Sequence, residues 1–251
     1  MAGKVIAITG ANGGLGRALA QFFAEGGEQV VLLGRKLDKV QEVAAAIGSQ
    51  AFAVACDVGK PESVTAAFKV IAGKYGKLDV LINNAAIFHP FLIEEATDAQ
   101  IMDPVLANLA GPILCCRGAI PLMGRGGHII NISSESVTVP LPHLSVYQAT
   151  KAGLENFSEH LQRELEDKGI RVTVVRAGQM MGPGMSVEME PQAAMRFGAE
   201  AMRRGLNLRE RGITLYPSTM PVFRMLVDLA PDLQVGHGVL AARVPGETAA
   251  E

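Results

Sequence analysis

Six β-rich runs, at 4–9, 29–33, 51–56, 79–82, 128–133 and 170–176, alternate along the chain with helical patterns at 15–25, 37–47, 61–75, 98–122 and 145–167. A seventh short strand is expected near 238–243. This alternation, more than any other feature, limits what the chain can become. Strands separated by helices assemble into a parallel sheet through right-handed crossovers, with helices on both faces. The fold class is therefore α/β, a doubly wound parallel sheet of about seven strands. At 251 residues the chain is long for one domain, yet α/β proteins of this size are commonly single, and 49% hydrophobic content is ample for one core. No repeat, low-complexity tract or linker interrupts it before residue 178.

Ligands of such sheets sit at the carboxyl ends of the strands, and the motifs fall there. Lys4-Val-Ile-Ala-Ile-Thr9 runs into Gly10-Ala-Asn-Gly-Gly-Leu-Gly16 and then an Ala/Leu/Phe helical pattern. Glycines allow a tight turn and a close backbone approach, and the helix start beyond them offers free N–H groups to a pyrophosphate. The spacing is Gly-x-x-x-Gly-x-Gly, not the commoner Gly-x-Gly-x-x-Gly. Further on, Ser145-Val-Tyr-Gln-Ala-Thr-Lys151 sets a phenol and an ammonium four residues apart on one helix face. A neighbouring cation is expected to favour the phenolate and lower the Tyr147 pKa, making the pair an acid/base device.

Composition excludes more than it identifies. A net charge of −2 gives no basic field for nucleic acid or anionic membrane. No apolar run is expected to reach the roughly 18 residues of a spanning helix, and the chain enters its first strand without room for a signal peptide, so a cytoplasmic protein is expected. Three cysteines, two of them adjacent, make neither a disulfide framework nor a metal site and are expected to be buried small apolar residues.

Taken in order, Thr9-Gly10-x-x-x-Gly14-x-Gly16, Cys56-Asp57-Val58, Asn83-Asn84-Ala85, Asn108, Ser134, Tyr147 and Lys151 resemble the short-chain dehydrogenase/reductase family from residue 4 to about residue 178. The resemblance implies a Rossmann-type fold and an oxidoreductase that moves a hydride between a nicotinamide and a carbonyl or secondary alcohol. It also implies the site. Tyr147 would exchange the proton on the substrate oxygen and Ser134, thirteen residues earlier, would hold that oxygen, with Ser133 as the alternative serine. Lys151 would lower the Tyr147 pKa and bind the nicotinamide ribose, and Asn108 would anchor a water that relays protons to Lys151, unless it is an ordinary mid-helix polar residue. The cofactor would lie on Gly10, Asn12, Gly13, Gly14, Leu15, Gly16, Asp57, Val58, Asn84, Ala85, Ala86, Gly178 and Met180, besides Tyr147 and Lys151. Asp57 resembles the aspartate that bonds the adenine amino group, against a plain turn aspartate.

Cofactor choice is read after the second strand, at Gly34-Arg35-Lys36. An NAD site usually has an acidic residue here, whereas an NADP site offers arginine to the 2′-phosphate. Arg35, with Gly34 before it, favours NADP(H), the competing reading being a solvated loop arginine. Asp38, the nearest acid, is expected to cap the following helix.

Departures begin past residue 176. Ala177 stands at the family's Pro position, Gly182 stands where a Thr usually bonds the carboxamide, with Ser186 as a possible substitute, and Ala86 replaces a Gly. Residues 178–212 form the segment that varies with substrate. Its Met180, Met181, Met185, Met189, Met195 and Met202 are either an adaptable apolar lid or core filler. Arg203, Arg204, Arg209 and Arg211 are expected on a solvated face, and His143 is expected in a structural loop. The remaining histidines carry no ligand spacing. Family relatives pair the helices at 98–122 and 145–167 into homodimers or homotetramers, for which Ile113, Leu114, Ile120, Leu154 and Phe157 supply apolar material. Two other functions stay open: an epimerase or dehydratase that retains its nicotinamide, and a nucleotide-sensing protein on the same fold. Intact Asn108, Ser134, Tyr147 and Lys151 weigh against the sensor.

Overall fold

The computed structural model describes residues 3–183, 190–208 and 210–242. The strands are β1 (Val5–Thr9), β2 (Gln29–Gly34), β3 (Ala51–Ala55), β4 (Val80–Asn83), β5 (His128–Ser134), β6 (Arg171–Ala177), β7 (Met180–Met181), β8 (Thr214–Leu215) and β9 (His237–Leu240). The helices are α1 (Gly14–Glu25), α2 (Leu37–Ile47), α3 (Pro61–Tyr75), α4 (Asp98–Val105), α5 (Gly111–Ala119), α6 (Ser145–Glu164), α7 (Pro191–Arg203) and α8 (Tyr216–Asp228). Seven strands form one parallel sheet in the order β3-β2-β1-β4-β5-β6-β9, and β7 pairs separately with β8.

Strand order reverses between β1 and β4, so their carboxyl ends part and open a crevice. Successive β1 residues face opposite sides of the sheet and both sides are covered, which explains why β1 is apolar up to Thr9. Ala7 joins a core with Phe68, Ile71, Cys115 and Leu161 on one face of the sheet, while Ile6 and Ile8 join Leu19, Phe23, Val40 and Phe223 on the other. Helices α3, α5 and α6 cover the first face; α1, α2 and α8 cover the second. Phe23 and Phe223 are fully buried, and each such side chain contributes about 1.5–3 kcal/mol.

Local signals set several helix ends. Pro61 opens α3 and Gly76, at φ 65°, closes it in the left-handed conformation that glycine tolerates. Thr97 and Gln100 form a reciprocal capping box at α4. Asp38 does not cap α2: Lys36 occupies the cap without a side-chain bond, and Asp38 lies in the first turn, where its charge only faces the helix dipole.

The expected helix at 98–122 is continuous but not uniform. Between α4 and α5 it widens into a π-helical segment, Leu106–Ala110. Taken whole, Asp98–Leu122 has 25 residues and a mean hydropathy of 1.5, so by length and composition it could cross a membrane. The expectation that no segment reaches that measure is corrected here: Asn108 and Arg117 interrupt the apolar run without lowering its mean enough. It is the one such helix among the described residues, and it lies against α3 and α6.

Candidate active site

A cleft of about 630 Å³ opens at the carboxyl ends of β1 and β4. On its wall lie Gly10, Asn12, Gly13, Gly14, Leu15, Arg35, Asp57, Val58, Asn84, Ala85, Ala86, Gly178 and Met180, all expected from the sequence. Gly10 and Gly14 have φ of 67° and 53°, a region costly for other residues. Gly16 is not on the wall but behind it, because a Cβ there would meet the Gly10 carbonyl at 2.5 Å and the Asn84 amide at 2.6 Å. A side chain at Gly10 would likewise press on Ala85 at 2.9 Å. The glycines thus bring turn and strand end together as a cradle, with the α1 N-terminus beneath it. Thr9 welds the two sides: its hydroxyl accepts from the N–H of Asn84 at 2.9 Å and of Ala85 at 3.0 Å, while Asn84 Nδ2 donates to the Thr9 carbonyl at 3.0 Å. This donor set and shape fit a dinucleotide, with the pyrophosphate over the glycine turn.

At the β2 end, Arg35 is exposed on the cleft wall with no ion-pair partner among the described residues. Asp57 is both things the sequence allowed, a wall residue and a turn aspartate accepting from the Gly59 N–H at 3.2 Å. Lys60, which sequence reasoning passed over, lines the same end 3.8 Å from the Asp57 carboxylate.

Beside the cleft, β5 and α6 bring Ser134, Tyr147 and Lys151 together. Ser134 stands beside the Tyr147 phenol, close enough to pull its pKa down, and its hydroxyl accepts from the Ser136 N–H at 3.2 Å. Ser133 points elsewhere, donating to Glu155 Oε1 at 2.6 Å, because neighbouring strand residues face opposite sides of the sheet. Lys151 is buried, donates to the Ile132 carbonyl at 2.7 Å, and holds its nitrogen 5.9 Å from the Tyr147 ring centre. Here the expected electrostatics are corrected. Burial raises the Tyr147 pKa above its ordinary value, and the neighbouring Ser134 opposes it only in part. Lys151 does not lower it, since burial pushes the ammonium's own pKa down to about 8, against a weaker pull from the Glu155 carboxylate.

Asn108 occupies the π-helical segment and is fully buried. Its Oδ1 accepts from the Ile87 N–H at 2.7 Å, and its Nδ2 donates to the Ile87 carbonyl at 2.9 Å and to Thr150 Oγ1 at 3.3 Å. The side chain therefore clamps a cleft-wall residue to α6.

Several contributors escaped the sequence reading. Phe88, on the cleft wall, packs edge-on to Tyr147 at 5.0 Å and to Phe197 at 6.3 Å. Glu155, one turn beyond Lys151, grips Arg176 at 2.6 Å and accepts from Ser133; its i, i+4 spacing from Lys151 was the available signal. Tyr216 also lines the cleft, and no pattern announced it. Gly182 has no room for a threonine, since a Cβ there would lie 2.2 Å from the Tyr216 ring. Ser186, Met185, Met189 and Arg209 lie outside the described residues. Met180 faces the cleft, whereas Met181, Met195 and Met202 are 44%, 67% and 52% exposed, so these three are not core filler. Arg203 and Arg204 pair with Glu200 on a solvated face, but Arg211 is drawn to Glu135, beside Ser134, at 2.7 Å. His143 holds a loop, its carbonyl accepting from the Phe91 N–H at 2.8 Å, with φ at 57°.

The family model described as short chain dehydrogenase matches residues 4–193, and the chain belongs to that family. Carbonyl reductase family member 4 of Danio rerio is 31% identical over 195 residues, 77% of this chain and 82% of that protein. The 3-oxoacyl-[acyl-carrier-protein] reductase of Mus musculus is 34% identical over 176 residues, 70% of this chain and 75% of that one. Among solved structures, the 3-ketoacyl-(acyl-carrier-protein) reductase of Brucella melitensis complexed with NADH superposes with a TM-score of 0.78 at 28% identity, covering 95% and 96% of the two chains. The protein is thus an oxidoreductase with a Rossmann-type NAD(P)-binding fold, acting on C=O or CH–OH groups of small molecules.

Proposed function

We propose that this chain is an NADP(H)-preferring reductase or dehydrogenase of a carbonyl or secondary alcohol, with Tyr147 as proton donor or acceptor. The observation that carries the reading is the convergence of Ser134, Tyr147 and the buried Lys151 ammonium beside a glycine-built cleft. Bound nicotinamide supplies or takes the hydride. Tyr147, kept protonated by burial, gives its proton to the substrate oxygen; positioned transfer of this kind is worth about 10²–10⁴-fold. Ser134 holds that oxygen as charge develops. Lys151, with its pKa brought down to about 8, returns a proton readily near neutral pH. Asn108 contributes by position: clamped to Ile87 and Thr150, it anchors a water that relays protons to Lys151.

Arg35 supports the NADP(H) preference, since an unpaired guanidinium on the wall suits a 2′-phosphate and no carboxylate stands at Gly34 to repel it. Residues 178–212 are the substrate segment in this reading, with Met180, Phe88 and Phe197 as its apolar contacts. The assembly is a homodimer or homotetramer joined along α4 and α5, where Met102 and Ile113 are 49% and 37% exposed. Leu154 takes no part, being fully buried in its own protomer.

The test is Tyr147→Phe against a panel of carbonyl compounds, following NADPH consumption. Turnover falls by roughly two to four orders of magnitude while NADPH affinity holds, because the ring still packs against Phe88 and only the proton is lost. Undiminished turnover in the variant defeats the mechanism. Wild-type enzyme that converts substrate without net NADPH consumption favours the cofactor-retaining epimerase or dehydratase instead.

A further inference from the structure

Tyr216 is the first residue of α8 and is 5% exposed, yet it lines the cleft. Its ring lies against Gly182, where an added Cβ would be 2.2 Å from Cδ2. Its hydroxyl reaches the other side, 3.3 Å from the position a Cβ would take on Gly14. A single side chain thus spans from the loop after β7 to the glycine turn, and its oxygen ends at the start of α1.

That oxygen has no hydrogen-bond partner among the described residues, although its backbone carbonyl accepts from Thr219 at 2.8 Å. Buried phenols usually have a partner, and a hydroxyl facing a ligand cleft finds it in the ligand. The surroundings indicate which part. The α1 N-terminus presents N–H groups and the positive end of its dipole, which draw an anion. Burial pushes the Tyr216 pKa up, so the group is a donor at neutral pH. No side chain can stand at Gly182 to do this work from the β7 side, because the Tyr216 ring already fills that space.

We propose that Tyr216 is a cofactor-binding residue whose hydroxyl donates a hydrogen bond to a pyrophosphate oxygen of the dinucleotide over the Gly10–Gly16 turn. It rests on the NADP(H)-binding reading above and adds a residue to it.

The experiment is calorimetric titration of wild type and Tyr216→Phe with three ligands: NADPH, 2′-phospho-ADP-ribose, which lacks nicotinamide, and adenosine 2′-monophosphate, which also lacks both phosphates of the pyrophosphate. A hydrogen bond to a charged oxygen makes the expected loss roughly tenfold or more for the first two ligands. Adenosine 2′-monophosphate binds equally to both proteins, and the thermal midpoints of the free proteins agree, since the ring is kept. Equal NADPH affinity overturns the proposal. A loss shared by all three ligands also overturns it, by showing general damage to the cleft, and a loss confined to NADPH overturns it by moving the contact to the nicotinamide. Wild-type protein that binds no dinucleotide sinks both this proposal and the functional reading, whereas wild-type binding with an unaffected variant sinks this one alone.

Discussion

Replacing Lys151 by methionine should remove a pH dependence of folding that the buried ammonium imposes. In the folded chain Lys151 is 3% exposed and burial brings its pKa from 10.5 to about 8. The unfolded chain therefore binds this proton more tightly, and the folded state is penalised wherever the group is charged. Below about pH 8 both states carry the proton and the penalty is complete. As pH rises from about 8 to 10.5 the folded state sheds the proton first, so stability increases with pH across that window. Between pH 7 and 9.5 the gain from these two values is about 2 kcal/mol. Lys151→Met keeps a long apolar side chain and lacks the titration. It loses the bond to Ile132, but that loss is the same at both pH values and cancels in the comparison. The assay is urea unfolding of both proteins at the two pH values, and the wild-type advantage should grow by about 2 kcal/mol at the higher one. Parallel profiles, agreeing within about 0.5 kcal/mol, would show that Lys151 is not held with a depressed pKa.

Arg35→Ala should weaken NADPH binding roughly ten- to hundredfold and leave NADH nearly unchanged, as titration of both cofactors would reveal; if wild type binds NADH at least as well as NADPH, the cofactor assignment is wrong. Gly16→Ala should abolish dinucleotide binding or folding, because its Cβ would lie 2.5 Å from the Gly10 carbonyl; a well-folded variant with normal affinity, by circular dichroism and calorimetry, would contradict the tight cradle. Light scattering at micromolar protein should return a multiple of the chain mass, and Ile113→Asp, on the exposed α5 face, should lower it; a wild-type mass near 26.5 kDa would refute the assembly.

What the sequence by itself determined lies where the information is local. Strand alternation, the glycine turn and the four-residue step from Tyr147 to Lys151 each follow from backbone periodicity or from glycine's freedom at positive φ, so the seven-stranded sheet and the glycine turn of the cleft were legible before any coordinates, while the other expected wall residues came from the family resemblance. Helices α7 and α8 were not resolved in the reading. Proline at or near their starts and the mixed Met/Arg pattern between them give weak periodic signals. Tertiary structure alone decided the rest, because it depends on which distant segments the crossovers deliver to one place. The Lys151 side chain bonds Ile132 rather than leaning on the phenol, and desolvation then reverses the expected shift of Tyr147. Asn108 finds Ile87, 21 residues away, and Thr150, 42 away, which turns a mid-helix amide into a clamp. Arg211 leaves the solvated face for Glu135, 76 residues distant. Tyr216, far down the chain from both Gly14 and Gly182, fills the space between them; no spacing in the sequence encodes that contact, because it exists only once α8 has packed back against α1.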